Sequence, residues 1–171
     1  MIKKRKGIVT MDGNPLALVG EAIKVGEDAP EFKATKPDLS EFSSEELEGK
    51  VRVYSSVISL DTEVWQDQTQ AFEDMMSELP GVEVITISED LPFAQARYKE
   101  ENDIEDVKFV SDYKNHEFGE KYGFFIDENH LLSRGVVVVD KDGKISYVEY
   151  VQEITNQPDY EKAKEEIKKL I

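Results

Sequence analysis

Apolar positions recur along this chain with two different periods, and the change of period marks the elements. Val51–Ile58 (VRVYSSVI) and Val82–Ser88 (VEVITIS) are nearly continuous apolar or β-branched runs bounded by turn residues, the pattern of strands covered on both faces. Between them Trp65, Thr69, Phe72, Met76 and Leu79 fall at helical spacing and give one helix an apolar stripe. Asp61 or Thr62 is placed to cap its start, Glu63 suits the positive end of its dipole, and Pro80-Gly81 stops it. A second helix is expected after Ser88, with Asp90 as cap and Pro92 in its first turn.

The opening IVTMDGNPLALVG reads as two strands around an Asp-Gly-Asn-Pro turn, a hairpin signal. VGEDAPEFKA is a loop turning at Pro30, and FSSEELEGK a polar turn ending at Gly49. VKFVS predicts a short strand, HEFGEKYG a short helix broken at Gly123, and LLSRGVVVVD an apolar strand ending at Asp140. The turn DKDG leads into KISYVEYV, where Ile145, Tyr147, Glu149 and Val151 alternate with their neighbours. After Pro158, one helical face collects Tyr160, Ala163, Ile167 and Leu170. Strands alternating with helices, then a hairpin and a helix, predict an α/β sandwich with a mixed sheet. With no repeat and no long linker in 171 residues, a single domain over 1–171 is expected.

Charge narrows the partners. Asp and Glu number 37 against 21 Lys and Arg, and a formal charge of -16 repels phosphate backbones and anionic lipid, so neither nucleic acid nor membrane is expected as a partner. The four cations Lys3, Lys4, Arg5 and Lys6 read as a basic tail leading into the first strand. Gly7 and Asp12 interrupt any signal-like apolar run, and cytoplasmic residence is the default. His116 and His130 are isolated and read as surface residues. The pairs Glu45-Glu46 and Glu100-Glu101 read as solvated faces, so no metal or other cofactor is expected. The most restrictive number is the cysteine count, which is zero. It excludes a disulfide, a thiolate nucleophile and a cysteine-ligated metal within the chain.

Five segments in order nevertheless resemble the thiol peroxidase branch of the peroxiredoxins. Ser59, Leu60, Asp61, Thr62, Val64, Gln68 and Thr69 match its peroxidatic motif P-S-[LI]-D-T-x-V-C-x-x-Q-T. SEDLPFAQARYKEEN is similar to the S-x-D-L-P-F-A-Q-x-R-[WF]-C segment, and SDYKNHEFGEKYG to S-D-x-x-x-x-x-F-G-x-x-Y-G. LLSRGVVVVDKDGKISYVEYV resembles the branch's strand and hairpin L-L-A-R-A-V-F-V-I-D, and EITNQPDYEKA completes the set. The resemblance implies a thioredoxin-like fold with a central mixed sheet flanked by helices, an N-terminal β-hairpin, and a homodimer. It also implies thioredoxin-dependent reduction of hydrogen peroxide and alkyl hydroperoxides. In that chemistry a thiolate at a helix N-terminus attacks the peroxide, a threonine and a distant arginine orient it, and a second cysteine resolves the sulfenic acid.

The departures fall on that chemistry. The resemblance puts Trp65 at the peroxidatic cysteine, Lys99 at the resolving cysteine, Ile58 at the motif proline and Glu63 at the small residue after the threonine. Thr62 is kept, and Arg134 matches the active-site arginine. An indole forms no sulfenate. Trp65 also lies on the apolar stripe and reads as core, while Lys99 reads as a solvated charge. Arg134, within an apolar strand, needs a partner; Glu63 or the face of Trp65 is expected to supply it, with Trp65 filling the former peroxide pocket. Three functions follow. The chain is an inactive relative acting by binding, through dimerisation with itself or with a cysteine-bearing paralogue, thioredoxin being a further candidate partner. Alternatively it is a cysteine-replaced variant of an active antioxidant enzyme, which the loss of the proline at Ile58 argues against. Last, its pocket is turned to small-ligand binding, for which no replacement nucleophile with a base beside it is visible.

Overall fold

The computed structural model describes residues 2–171. Strand β1 (Lys4–Met11) turns at Asp12-Gly13 into β2 (Asn14–Val19). Both turn residues have positive φ, 50° and 80°, as a two-residue hairpin requires. The basic segment is therefore not a tail: Lys4, Arg5 and Lys6 are already paired in β1, which bulges before Val9. Two short strands, β3 (Lys33–Thr35) and β4 (Glu41–Ser43), follow the Pro30 loop, and a 3-10 turn covers Ser44–Leu47 where a polar turn was expected.

The centre is built from β5 (Val51–Ser56), α1 (Glu63–Glu78), β6 (Val82–Ser88), α2 (Pro92–Glu101) and β7 (Lys108–Ser111). Then come α3 (Glu117–Tyr122), β8 (Phe125–Ile126), β9 (Gly135–Val139), β10 (Ile145–Tyr150) and α4 (Tyr160–Lys168). Seven strands form the main sheet in the order β10-β9-β5-β6-β7-β3-β4, with β5, β6 and β7 parallel and the remaining pairings antiparallel. The hairpin joins β8 in a second, three-stranded sheet. This is the mixed α/β, thioredoxin-like architecture expected, with the N-terminal hairpin. Short β8 was not foreseen, and Leu131–Arg134 lies before β9, not within it.

One apolar cluster fills the side of the sheet covered by α1, α2 and α4, including Val53, Trp65, Phe72, Tyr98, Phe109 and Ile167. A second, aromatic cluster lies on the other side, where Phe32, Tyr54, Phe118 and Tyr122 contact one another edge-on or stacked. Among the described residues no helix is long and apolar enough to cross a membrane.

Candidate functional site

The stretch between β5 and α1 is where the motif residues meet. Helix α1 begins after Thr62, but the Thr62 hydroxyl donates back to the Ser59 carbonyl, 3.1 Å, instead of capping the helix. Asp90 does not cap α2 either, since the cap position is Leu91. The Asp90 carboxylate instead crosses to the motif loop, accepting from Ser59 Oγ at 3.0 Å and from Leu60 N at 2.9 Å. A polar residue before a helix ordinarily caps it, but the donors that Asp90 accepts from belong to the motif loop.

Trp65 is completely buried in the first turns of α1. Its indole packs against Tyr98 of α2 and Phe109 of β7, with ring centroids 6.0 and 6.3 Å away. Its Nε1 has no hydrogen-bond partner, an orphan donor inside apolar surroundings. The stripe expected on α1 is present at Trp65, Thr69, Phe72 and Leu79, but Met75 is more deeply buried than Met76.

Arg134, 1% exposed, is the buried cation of this region. The structure contradicts the expected partners: among the described residues it forms no ion pair with Glu63 and no cation–π contact with Trp65. Glu63 points from the exposed start of α1. The guanidinium donates through Nη1 to Gln68 Oε1 at 2.7 Å and to the Val64 carbonyl at 3.3 Å, and through Nε to the Ile154 carbonyl at 2.9 Å. Burial pulls its pKa below the ordinary arginine value. Gln68 passes the network on, donating to Ser55 Oγ at 2.7 Å and to the Ser56 carbonyl at 3.4 Å. The Ser56 hydroxyl donates to the Ser133 carbonyl, 2.7 Å, beside Arg134. A chain of neutral dipoles thus takes the place of a counter-ion. Gln68 was matched in the motif without a role; a buried polar residue interrupting an apolar helical face was the available signal.

Lys99 is half-buried in the last turn of α2, adjacent in sequence to Tyr98, and shares no hydrogen bond with Thr62, Trp65 or Arg134. It lines a groove with Phe42, Lys50 and Lys108. Thr62, Trp65 and Arg134 converge on α1; Lys99 stands apart from them.

A second polar cluster closes the ends of β6 and β7. His116 is not a plain surface residue: its Nδ1 pairs with Glu89 Oε2 at 2.9 Å and its ring lies 4.8 Å from that of Phe125. Asp112 accepts from the backbone of Phe118 and Gly119, at 3.0 and 2.8 Å, and so satisfies the start of α3. Glu89 Oε1 is buried without a partner. Burial pushes both Glu89 and Asp112 far above the usual carboxylate range, helped by the charges of Asp90 and Glu120 at Glu89 and by that of Glu89 at Asp112.

Comparison with known proteins places this arrangement. The family model Redoxin matches residues 24–164. The thiol peroxidase of Halalkalibacterium halodurans is 46% identical over 160 residues, covering 94% of this chain and 96% of that one. The thiol peroxidase of Bacillus subtilis is 45% identical, covering 95% and 98%. The crystal structure of a peroxiredoxin-like protein from Aquifex aeolicus superposes with a TM-score of 0.91 at 39% identity, covering 99% of each chain. A thiol peroxidase from Chromobacterium violaceum shares the fold, with a TM-score of 0.87 at 17% identity over 94% of this chain and 95% of that one. With its redoxin match, its identity to thiol peroxidases along nearly its whole length and its shared fold, the chain belongs to the thiol peroxidase branch of the peroxiredoxins.

Proposed function

We propose that this chain is a thiol peroxidase relative that does not reduce peroxides and works by binding. It is read as one domain that pairs with a second copy or with a cysteine-bearing paralogue in the cytoplasm. One observation carries the reading: the motif position of the attacking sulfur holds Trp65, fully buried, in a chain with no cysteine at all. An indole neither cleaves an O–O bond nor forms a sulfenate, so the cycle lacks its first step, and Lys99 leaves it without a resolving thiol. The surroundings of Arg134 support the same reading. In the family reaction the arginine favours a negative sulfur and orients the peroxide; here its hydrogen bonds run to Gln68, Val64 and Ile154. Thr62, whose hydroxyl the family aims at peroxide, donates to Ser59. Arg134 and Thr62 serve here as structural hydrogen-bond donors.

Affinity purification of the tagged chain from its own cells tests the binding half of the proposal. Co-purification of a cysteine-bearing paralogue, or recovery of an untagged copy of the chain, is expected. Recovery of neither, with the tagged chain monomeric, would refute it.

A further inference from the structure

We propose that the groove along β7 is a binding site for a small amphipathic anion, a carboxylate carried on an aliphatic or aromatic body. The space arises from the way β3 leaves the sheet. β3 pairs with β7 through Thr35 and Ser111 alone. Lys36 N then bonds the Ser40 carbonyl at 2.8 Å, and Pro37, which has no N–H to offer a ladder, carries the chain away. The edge of β7 over Lys108–Val110 is left without a strand on that side. The resulting groove measures about 580 Å³, within the roughly 300–1,000 Å³ range of small-molecule sites.

Its chemistry is two-sided. Phe42, Leu47 and Phe109, all buried core residues, form an apolar floor. Lys36, Lys50, Lys99 and Lys108 stand around it. Lys36 is held by Glu46 at 3.2 Å, and Lys50 and Lys108 share the one carboxylate of Glu83, at 3.5 and 2.9 Å. Asp38, also on the wall, is engaged by Ser40 at 2.9 Å. Among the described residues Lys99 forms no ion pair. Four ammonium groups thus face three carboxylates, a local positive excess on a chain of net charge -16. A large polyanion would meet the whole acidic field, whereas a small one meets the local lysines. The apolar floor selects against a bare inorganic anion. A carboxylate beside Lys99 and Lys108, with its hydrocarbon on Phe42 and Phe109, satisfies both halves.

The groove shares Phe109 with the packing around Trp65 but none of the hydrogen bonds of Arg134, and the proposed function does not rest on it, so its failure leaves that reading untouched. Octanoate titrated into the ¹⁵N-labelled chain should give saturable amide shifts at Phe42, Lys99, Lys108 and Phe109. Octanol, lacking the charge, and acetate, lacking the body, should each bind at least about fivefold more weakly. Lys99→Glu, on a half-buried position with the fold checked by circular dichroism, should weaken octanoate by at least about fivefold. No saturable octanoate binding at low millimolar concentration, shifts confined to another surface, or equal affinity for octanol would overturn the proposal.

Discussion

Trp65 and Arg134 show at the residue scale how a site loses its chemistry while its scaffold stays packed. Trp65 is one of the largest fully buried side chains, so Trp65→Cys removes most of its volume from the contact with Tyr98 and Phe109. We expect a loss of about 3–5 kcal/mol in urea unfolding, the usual range for emptying a buried aromatic site. A loss below about 1 kcal/mol would show that the indole does not pack as described. The same variant should gain little peroxidase activity, because a thiol in that apolar setting resists ionisation and Ile58 stands where the motif has proline. Adding Ile58→Pro and Glu63→Gly should raise the activity; equal rates in the single and triple variants would make the flanking residues irrelevant. Arg134→Met should cost about 2–4 kcal/mol, since it leaves Gln68 Oε1 and two carbonyls without their charged donor. The bond to Gln68 was not legible from sequence. Charge matching favoured Glu63, but that side chain is exposed at the helix start, and a glutamine one turn further along faces inward.

Among the elements, those defined by apolar period were readable to within a few residues. β6 runs over the expected Val82–Ser88, and α3 ends at Gly123 in the left-handed conformation that glycine accepts without strain. α4 buries Ala163 and Ile167, with Asp159 accepting from Lys162 N at its start. What sequence missed were polar groups whose partners lie in distant segments. Asp90 bonds the motif loop, and Glu153 clamps the hairpin by accepting from Thr10 Oγ1 at 2.9 Å and Gly13 N at 2.8 Å. The cluster at α3 yields a pH prediction. Glu89 and Asp112 titrate near 4 when unfolded and at about 8 when folded, faced by Asp90, Glu120 and His116. Between those limits the folded state holds protons that the unfolded chain has released. Stability therefore falls as pH rises from about 5 to 8. Urea midpoints should decline over that range, and Glu89→Gln should flatten the slope. A midpoint that rises with pH in the parent chain, or an unchanged slope in the variant, would contradict the raised carboxyl groups.

For the whole molecule, overall charge and exposed apolar surface decide how it associates. A charge of -16 opposes loose contact between copies, so a dimer needs a specific apolar patch. At the start of α2, Leu91 and Phe93 are 52% and 67% exposed, the largest such pair close in sequence on one element. Light scattering at micromolar concentration should give a dimer, and Phe93→Glu should shift it to monomer. A monomer from the parent chain would defeat the expectation.

The central claim is that a thiol peroxidase scaffold here carries no peroxidase chemistry. Its most direct test follows the loss of hydrogen peroxide, and separately of an alkyl hydroperoxide, with the purified chain, thioredoxin, thioredoxin reductase and reduced nicotinamide cofactor. The account predicts consumption no faster than without the chain, because nothing at position 65 can become a sulfenate. Reproducible thioredoxin-dependent turnover that scales with the concentration of this cysteine-free chain would contradict it.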